Sequence, residues 1–217
     1  MSAIDSTITF NRVTATTHSF TFNNVAGTFL LIGFNNNLGT STTVSSIKYN
    51  GVDLTVVDTQ TTPNANFATV WRLSNPALGS NTFEITLSST NNVVGAVQSY
   101  TGVDLANPID ASSKGTSWNL TTAMSLPITT VTANARLFAH AYIARNVSSL
   151  ATGTTSVHTA NDAGLTIRST NAIANAGATS LDWTANATEF QGHVIVALRQ
   201  ASGGPVRNSQ LTMMGVG

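Results

Sequence analysis

The chain predicts an all-β protein: an antiparallel β-sandwich of jelly-roll-like character with a short extended C-terminal arm. Three observations carry that expectation. Apolar residues recur with the period of two that sends alternate side chains to opposite faces of a strand. Phe67, Thr69, Trp71 and Leu73 alternate with Ala68, Val70 and Arg72, and Phe83, Ile85 and Leu87 alternate with Thr82, Glu84 and Thr86. Turn chemistry such as Asn50-Gly51 and Asn75-Pro76 separates the runs. Helical periodicity is nearly absent, and the one stretch left open, Asn161 to Asn175, has a Gly and Asn content that argues against a helix.

In chain order, Ser6 to Phe22 reads as two strands, the first holding Ile8, Phe10 and Val13 and the second Phe20 and Phe22. Gly27 to Phe34 is a continuous apolar run too short for a helix, and it suits a central strand covered on both faces. Val44 to Tyr49 runs into Asn50-Gly51, a dipeptide suited to the positive φ angles of a type I′ hairpin turn, and Val52, Leu54 and Val56 resume beyond it. Phe67 to Leu73 is expected to bury its aromatic face. Thr82 to Leu87 and Val93 to Tyr100 read as two further strands, with Glu84 pointing to solvent.

A loop framed by Asp104, Pro108 and Asp110 follows, and Ala111 to Asn119 reads as small, polar and irregular. Met124 to Val131 reads as a strand interrupted by Pro127, and Leu137 to Ile143 as a strand apolar on both faces. Asn146 to Ala163 reads as loops around short edge strands. Phe190, Gly192, Val194, Val196 and Leu198 alternate with Gln191, His193, Ile195, Ala197 and Arg199 in the last strand. Residues 1–200 therefore form the sandwich. Residues 201–217 form a linker, Ala201 to Pro205, and an arm that is either a frayed terminus or a strand added to a neighbouring sheet edge.

Composition narrows the function classes. Of 217 residues, 41% are hydrophobic and only 8% are charged, far below the roughly 25% of ordinary soluble domains. Nine basic residues balance nine acidic ones, so the chain lacks the electrostatic footprint of a nucleic-acid binder or of a protein docking on anionic lipid. With no cysteine, disulfides and thiolate metal sites are excluded. The opening residues lack a basic start with an apolar core, and no segment has the apolar length to span a bilayer as a helix. A Thr/Asn-rich, low-charge β-protein without an export signal fits a virion component assembled in the host cytoplasm and released by lysis.

No residues assemble into a catalytic pattern, and no metal or cofactor is predicted. His18, His140, His158 and His193 lack ligand spacing, although His140 and His193 lie in strong strand patterns. Most of the Asp residues, Asp53, Asp104, Asp110 and Asp162 of the seven, lie within two positions of a Gly, Pro or Asn, where capping of local backbone is a more economical role than a glycosidase acid pair. Asp104 and Asp110 frame a loop that lacks the dense acidic spacing of a calcium site. No Gly-x-Ser-x-Gly elbow and no phosphate-binding glycine loop occurs. Among the aromatics, Trp71 is expected in the core, whereas Trp118 and Trp183 lie in polar surroundings and are candidate sugar-stacking platforms.

The segments SSIKYNGVDLT, VWRLSNPALGSNTFEITL and AVQSYTGVDLANPID, within Val44 to Asp110, resemble a recurrent jelly-roll or lectin-like β-sandwich module of bacterial surface proteins and tailed-phage structural proteins. The closing VRNSQLTMMGVG is similar to the terminal segments of phage virion proteins. The resemblance implies a structural or adhesive role and supplies no catalytic residues. The resulting expectation is a non-enzymatic, homo-oligomeric capsid decoration or cement protein. Its arm would contact other virion proteins through Val206, Leu211, Met213 and Met214, Met being suited to irregular apolar partners. The alternative is a tail-fibre or adhesin module that binds a cell-surface glycan through Trp118 and Trp183.

Overall fold

The computed structural model describes residues 2–36, 41–62, 64–117, 122–143, 145–160, 163–188 and 191–202. These residues form fifteen strands and no helix. In order they are β1 (Ala3–Asn24), β2 (Phe29–Asn36), β3 (Val44–Tyr49), β4 (Val52–Asp53), β5 (Thr55–Thr61), β6 (Phe67–Ser74), β7 (Gly79–Thr101) and β8 (Ile109–Ser117). There follow β9 (Ala123–Thr130), β10 (Arg136–Ile143), β11 (Val147–Leu150), β12 (Thr154–Ala160), β13 (Gly164–Ser169), β14 (Gly177–Ala185) and β15 (Gln191–Leu198). The pairings between them are antiparallel, and the chain is an all-β antiparallel sandwich.

The first sheet runs β4-β3-β7-β2-β6-β5, with β1 along the other edge of β7. The two long strands β1 and β7, of 22 and 23 residues, pair from Ala3↔Thr101 to Asn24↔Gly79. This ribbon is folded over on itself. Ten residues of extended strand span about 33 Å, yet the rings of Phe10 and Phe20, on the same strand, stack with centroids 4.7 Å apart. The register breaks that permit the fold lie between Arg12 and Thr17. The sheet thereby encloses its own core, in which Phe10, Phe20, Phe22, Ile32, Phe34, Tyr49 and Phe83 meet.

The second sheet runs β12-β13-β10-β15-β8, and the third β11-β14-β9. A second core lies between the first and second sheets, where Phe29, Leu31, Val70 and Tyr100 meet Phe138, Val194, Val196 and Leu198. A third core lies between the second and third, where Leu137, Ala139, Ile195 and Ala197 meet Met124, Leu126, Leu181 and Trp183. The strands β2, β10 and β15 thus contribute to two cores each. That explains why all eight positions of β2 and β15 are buried and why both sets of alternate residues there include large apolar side chains.

The two-faced burial expected for Gly27 to Phe34 and Leu137 to Ile143 holds, and Asn50 and Gly51 take φ angles of 50° and 76°, as the hairpin turn requires. Several expectations need correction. Ser6 to Phe22 is one strand, not two, and Thr82 to Tyr100 is likewise one, because the polar stretches Thr14 to Thr17 and Ser88 to Asn92 are bulged strand rather than loop. Ala111 to Ser117 is strand β8, and Gly164 to Ser169, inside the stretch left open for a helix, is the buried strand β13. Pro127 does not interrupt β9; it occupies an exposed position of an edge strand, where its missing N–H breaks no ladder. The arm expected beyond residue 202 lies outside the described residues, and with it Val206, Leu211, Met213 and Met214.

Candidate functional site

Among the described residues, polar and aromatic side chains combine in a groove beside Trp71, in an outer hollow beside Asp182 and around the histidines between the sheets.

The groove beside Trp71 lies where β5 and β6 approach the start of β3. In β6 the first four positions are buried and the last four only partly so, which leaves the indole of Trp71 half-buried instead of inside the core. Its Nε1–H donates to the Thr69 hydroxyl at 2.9 Å. That hydroxyl donates to the Asp58 carbonyl at 3.2 Å, so the 2.6 Å contact with Thr59 has Thr59 donating to Thr69. This chain of bonds fixes the plane of the indole. The groove encloses about 280 Å³, bounded by Trp71, Phe67, Val44 and Val56 and by Thr42, Thr43, Thr59 and Thr61. Its surface is apolar with hydroxyls at the margin and carries no charged side chain. Such a lining stacks on C–H surfaces and hydrogen-bonds to neutral polar groups; it contains no nucleophile with a base beside it.

The second place, about 340 Å³, lies on the outer face of the third sheet. Asp182 accepts hydrogen bonds there from Ser125 at 2.6 Å and Ser180 at 2.8 Å, both local to the sheet. The candidate platform Trp183 adjoins this hollow, but its side chain turns inward and is only 2% exposed, so it belongs to the third core. Its polar flanks, Asp182 and Thr184, are simply the outward half of a two-residue alternation whose inward half is Leu181, Trp183 and Ala185. Trp118 lies outside the described residues.

The histidines serve the interior. His140 is fully buried between the first two sheets; its Nε2–H donates to the Asn35 side-chain oxygen at 2.8 Å, and its Nδ1 accepts from the Thr166 hydroxyl at 2.8 Å. The assignment follows from Asn35, whose amide nitrogen is already committed to the carbonyls of Asn36 and Ala163. Gly33 makes room for this bridge, since a Cβ there would lie 2.7 Å from His140 Cβ and 2.9 Å from the Phe138 ring. Burial, with His158 nearby, pushes the His140 pKa down to about 3, and burial pushes His193 down to about 4. Both rings are neutral at pH 7. Among the described residues no group of His, Asp or Glu side chains is arranged to hold a metal ion.

The carboxylates in the turns are committed locally. Asp104 accepts the amide N–H of Ala106, and Asp110 accepts the amides of Val131 and Thr132 and the Thr132 hydroxyl, with Arg199 at 3.4 Å. Burial acts to raise the Asp110 pKa, but the Thr132 and Val131 donors and Arg199 together hold it below the usual carboxylate value. A carboxylate already surrounded by N–H donors and a guanidinium does not offer itself to calcium. Asp5 clamps the start of β1 to the turn after it through the amides of Val25 and Ala26.

The two-residue alternation assigns Trp71 to the core, which conceals the groove; the indole is only partly buried against that core. The signal was available in Thr59 and Thr69, hydroxyl residues on adjoining strands next to an aromatic. No protein-family model, curated protein or solved structure matches this chain.

Proposed function

We propose that the protein is a non-enzymatic structural component of a virion, a capsid decoration or cement protein that works through shape and contact. The observation that carries this reading is the stacking of three cores with shared walls, which yields a thick, rigid block whose outward strand positions are mostly Thr, Ser and Asn. Such a block suits a particle exterior, where a neutral polar face meets solvent while strand edges and the C-terminal arm, with Val206, Leu211, Met213 and Met214, contact the shell and neighbouring copies. The resemblance of Val44 to Asp110 to phage and bacterial surface sandwiches supports the same class. An antibody against the purified protein is expected to label intact particles banded from the source culture, with labelling abolished when Val206 to Gly217 is deleted. Recovery of the protein only in the particle-free fraction refutes the reading.

The groove beside Trp71 favours a second reading, in which the protein attaches to a neutral cell-surface glycan. An uncharged aromatic wall edged by threonine hydroxyls is complementary to a sugar ring, which presents an apolar face and a hydroxyl rim. Binding on a neutral-glycan array that Trp71→Ala abolishes and Trp183→Phe leaves unchanged supports it; an array blank for the intact protein removes it.

A further inference from the structure

The end of β1 from Thr17 to Asn23 is a strand edge with no partner strand among the described residues. The direction of its backbone groups follows from its neighbour. Thr82 accepts a hydrogen bond from the Asn50 amide on the β3 side of β7, so the next residue, Phe83, presents its N–H and C=O to β1. Phe83 is opposite Phe20, and the Ser19 hydroxyl reaches the Phe83 carbonyl at 3.3 Å from the same side. By alternation along β1, the main-chain groups of Thr17, Ser19, Thr21 and Asn23 point away from the sheet, and the side chains of these four residues are exposed.

Several of the other sheet edges carry devices that discourage pairing. Lys114 of β8 covers β5 by bonding to Asp58 at 2.6 Å and to the Thr59 carbonyl at 3.2 Å. β9 carries Pro127, β12 is bulged between Ser156 and His158, and β4 has two residues. The stretch from Thr17 to Asn23 contains no Lys, Pro or carboxylate. It is also rigid, because the rings of Phe20 and Phe83 stack at 5.2 Å beneath it and Phe22 packs edge-on against Tyr49. An edge in unbroken register and without Lys, Arg, Asp or Glu is poised for main-chain pairing.

We propose that this edge is a homodimer interface, in which β1 of a second copy adds antiparallel to Thr17–Asn23 across a two-fold axis and joins the two first sheets into one. A second copy is the occupant because pairing centred on Phe20 places Thr21 opposite Ser19 of the partner subunit and Thr17 opposite the partner's Asn23. Short hydroxyl and amide side chains then face each other without like charges. With a formal net charge of zero, no long-range repulsion opposes the approach. The inference rests on the reading of the protein as an assembling structural subunit only for its biological use.

Sedimentation equilibrium of the full chain is expected to show monomer and dimer in concentration-dependent exchange. Thr21→Lys and Thr21→Glu are each expected to be monomeric, with the melting temperature the wild type shows when dilute since the side chain is exposed, and their mixture is expected to dimerise again. Thr21→Pro, which removes an outward N–H from each copy, is expected to lower the association constant by roughly tenfold or more. A wild-type chain that stays monomeric at the highest attainable concentration, or a dimer that persists in both charged variants, overturns the interface. Particle labelling by the antibody is scored independently, so a missing dimer with labelled particles refutes this interface and leaves the virion reading standing.

Discussion

Lowering the pH should destabilise this protein through the buried His140 and His193 before the losses at Asp5 and Asp110 set in. An unfolded histidine titrates near 6.5, whereas the His140 pKa is pushed down to about 3 and that of His193 to about 4. Above pH 6.5 both states carry neutral rings, so these residues make no pH-dependent difference. Below it the unfolded chain binds protons that the native state refuses, and stability falls as the pH falls. Each ring contributes a slope of about 1.4 kcal/mol per pH unit, so the two together remove about 5 kcal/mol by pH 4.5, comparable with the entire stability of many domains. Asp110 and Asp5, whose pKa values are lowered, add their losses only as the pH drops below the ordinary carboxylate value of 3.8. The assay is urea unfolding followed by circular dichroism at steps between pH 7.5 and 4.5, for the wild type and for His140→Gln, whose amide can donate to Asn35 in place of the ring. The wild type should lose roughly 3 kcal/mol per unit between pH 6.5 and 4.5, with His158, also lowered by burial, adding in the same direction, and the variant should show a clearly shallower slope. Stability that is flat from pH 7 to 5, or equal slopes in the two proteins, would refute the reasoning.

Three other substitutions probe the architecture. Gly33→Ala forces a methyl against His140 and Phe138 between two sheets that cannot part, and it should destabilise by about 1–3 kcal/mol in the same unfolding assay. Trp183→Ala empties part of the third core and should lower stability by about 3–5 kcal/mol; a surface platform would show almost no change. Asp110→Ala removes the acceptor for Val131, Thr132 and Arg199 and should cost roughly 1.5–3 kcal/mol, with hydrogen exchange accelerating first at the amides of residues 131 and 132.

The parts of the fold that were legible in the sequence are those where a single physical demand dominates. Continuous apolarity in Phe29 to Phe34 and Leu137 to Ile143 follows from burial on two faces, and Asn50-Gly51 follows from backbone sterics. What escaped depends on partners far away in the chain. Thr14 to Thr17 and Ser88 to Asn92 look like loops by composition, yet pairing across the ribbon keeps both in strand, and only the bend they permit brings Phe10 onto Phe20. The polar flanks of Trp183 pointed outward while its own two-residue alternation pointed in, and the alternation decides where a side chain goes. At Trp71 the error ran the other way: alternation gave the correct face, but how far that face is covered depends on how β3 and β5 approach β6, which periodicity does not encode. For the C-terminal arm, the residues singled out in the sequence fall outside the described structure, so the sequence alone speaks for them.

The walls shared between cores also govern how the molecule comes apart. Removing the third sheet would expose Leu137, Ala139, Ile195 and Ala197 on strands whose opposite faces hold the second core, and opening the first sheet's fold would strip Leu30, Ile32 and Phe34 from a strand that also seats Phe29 and Leu31. No layer can leave without uncovering a strand that another layer needs. Loss of any one face should therefore propagate through β2, β10 and β15, making unfolding a single cooperative event and these three strands the last to exchange their amide hydrogens.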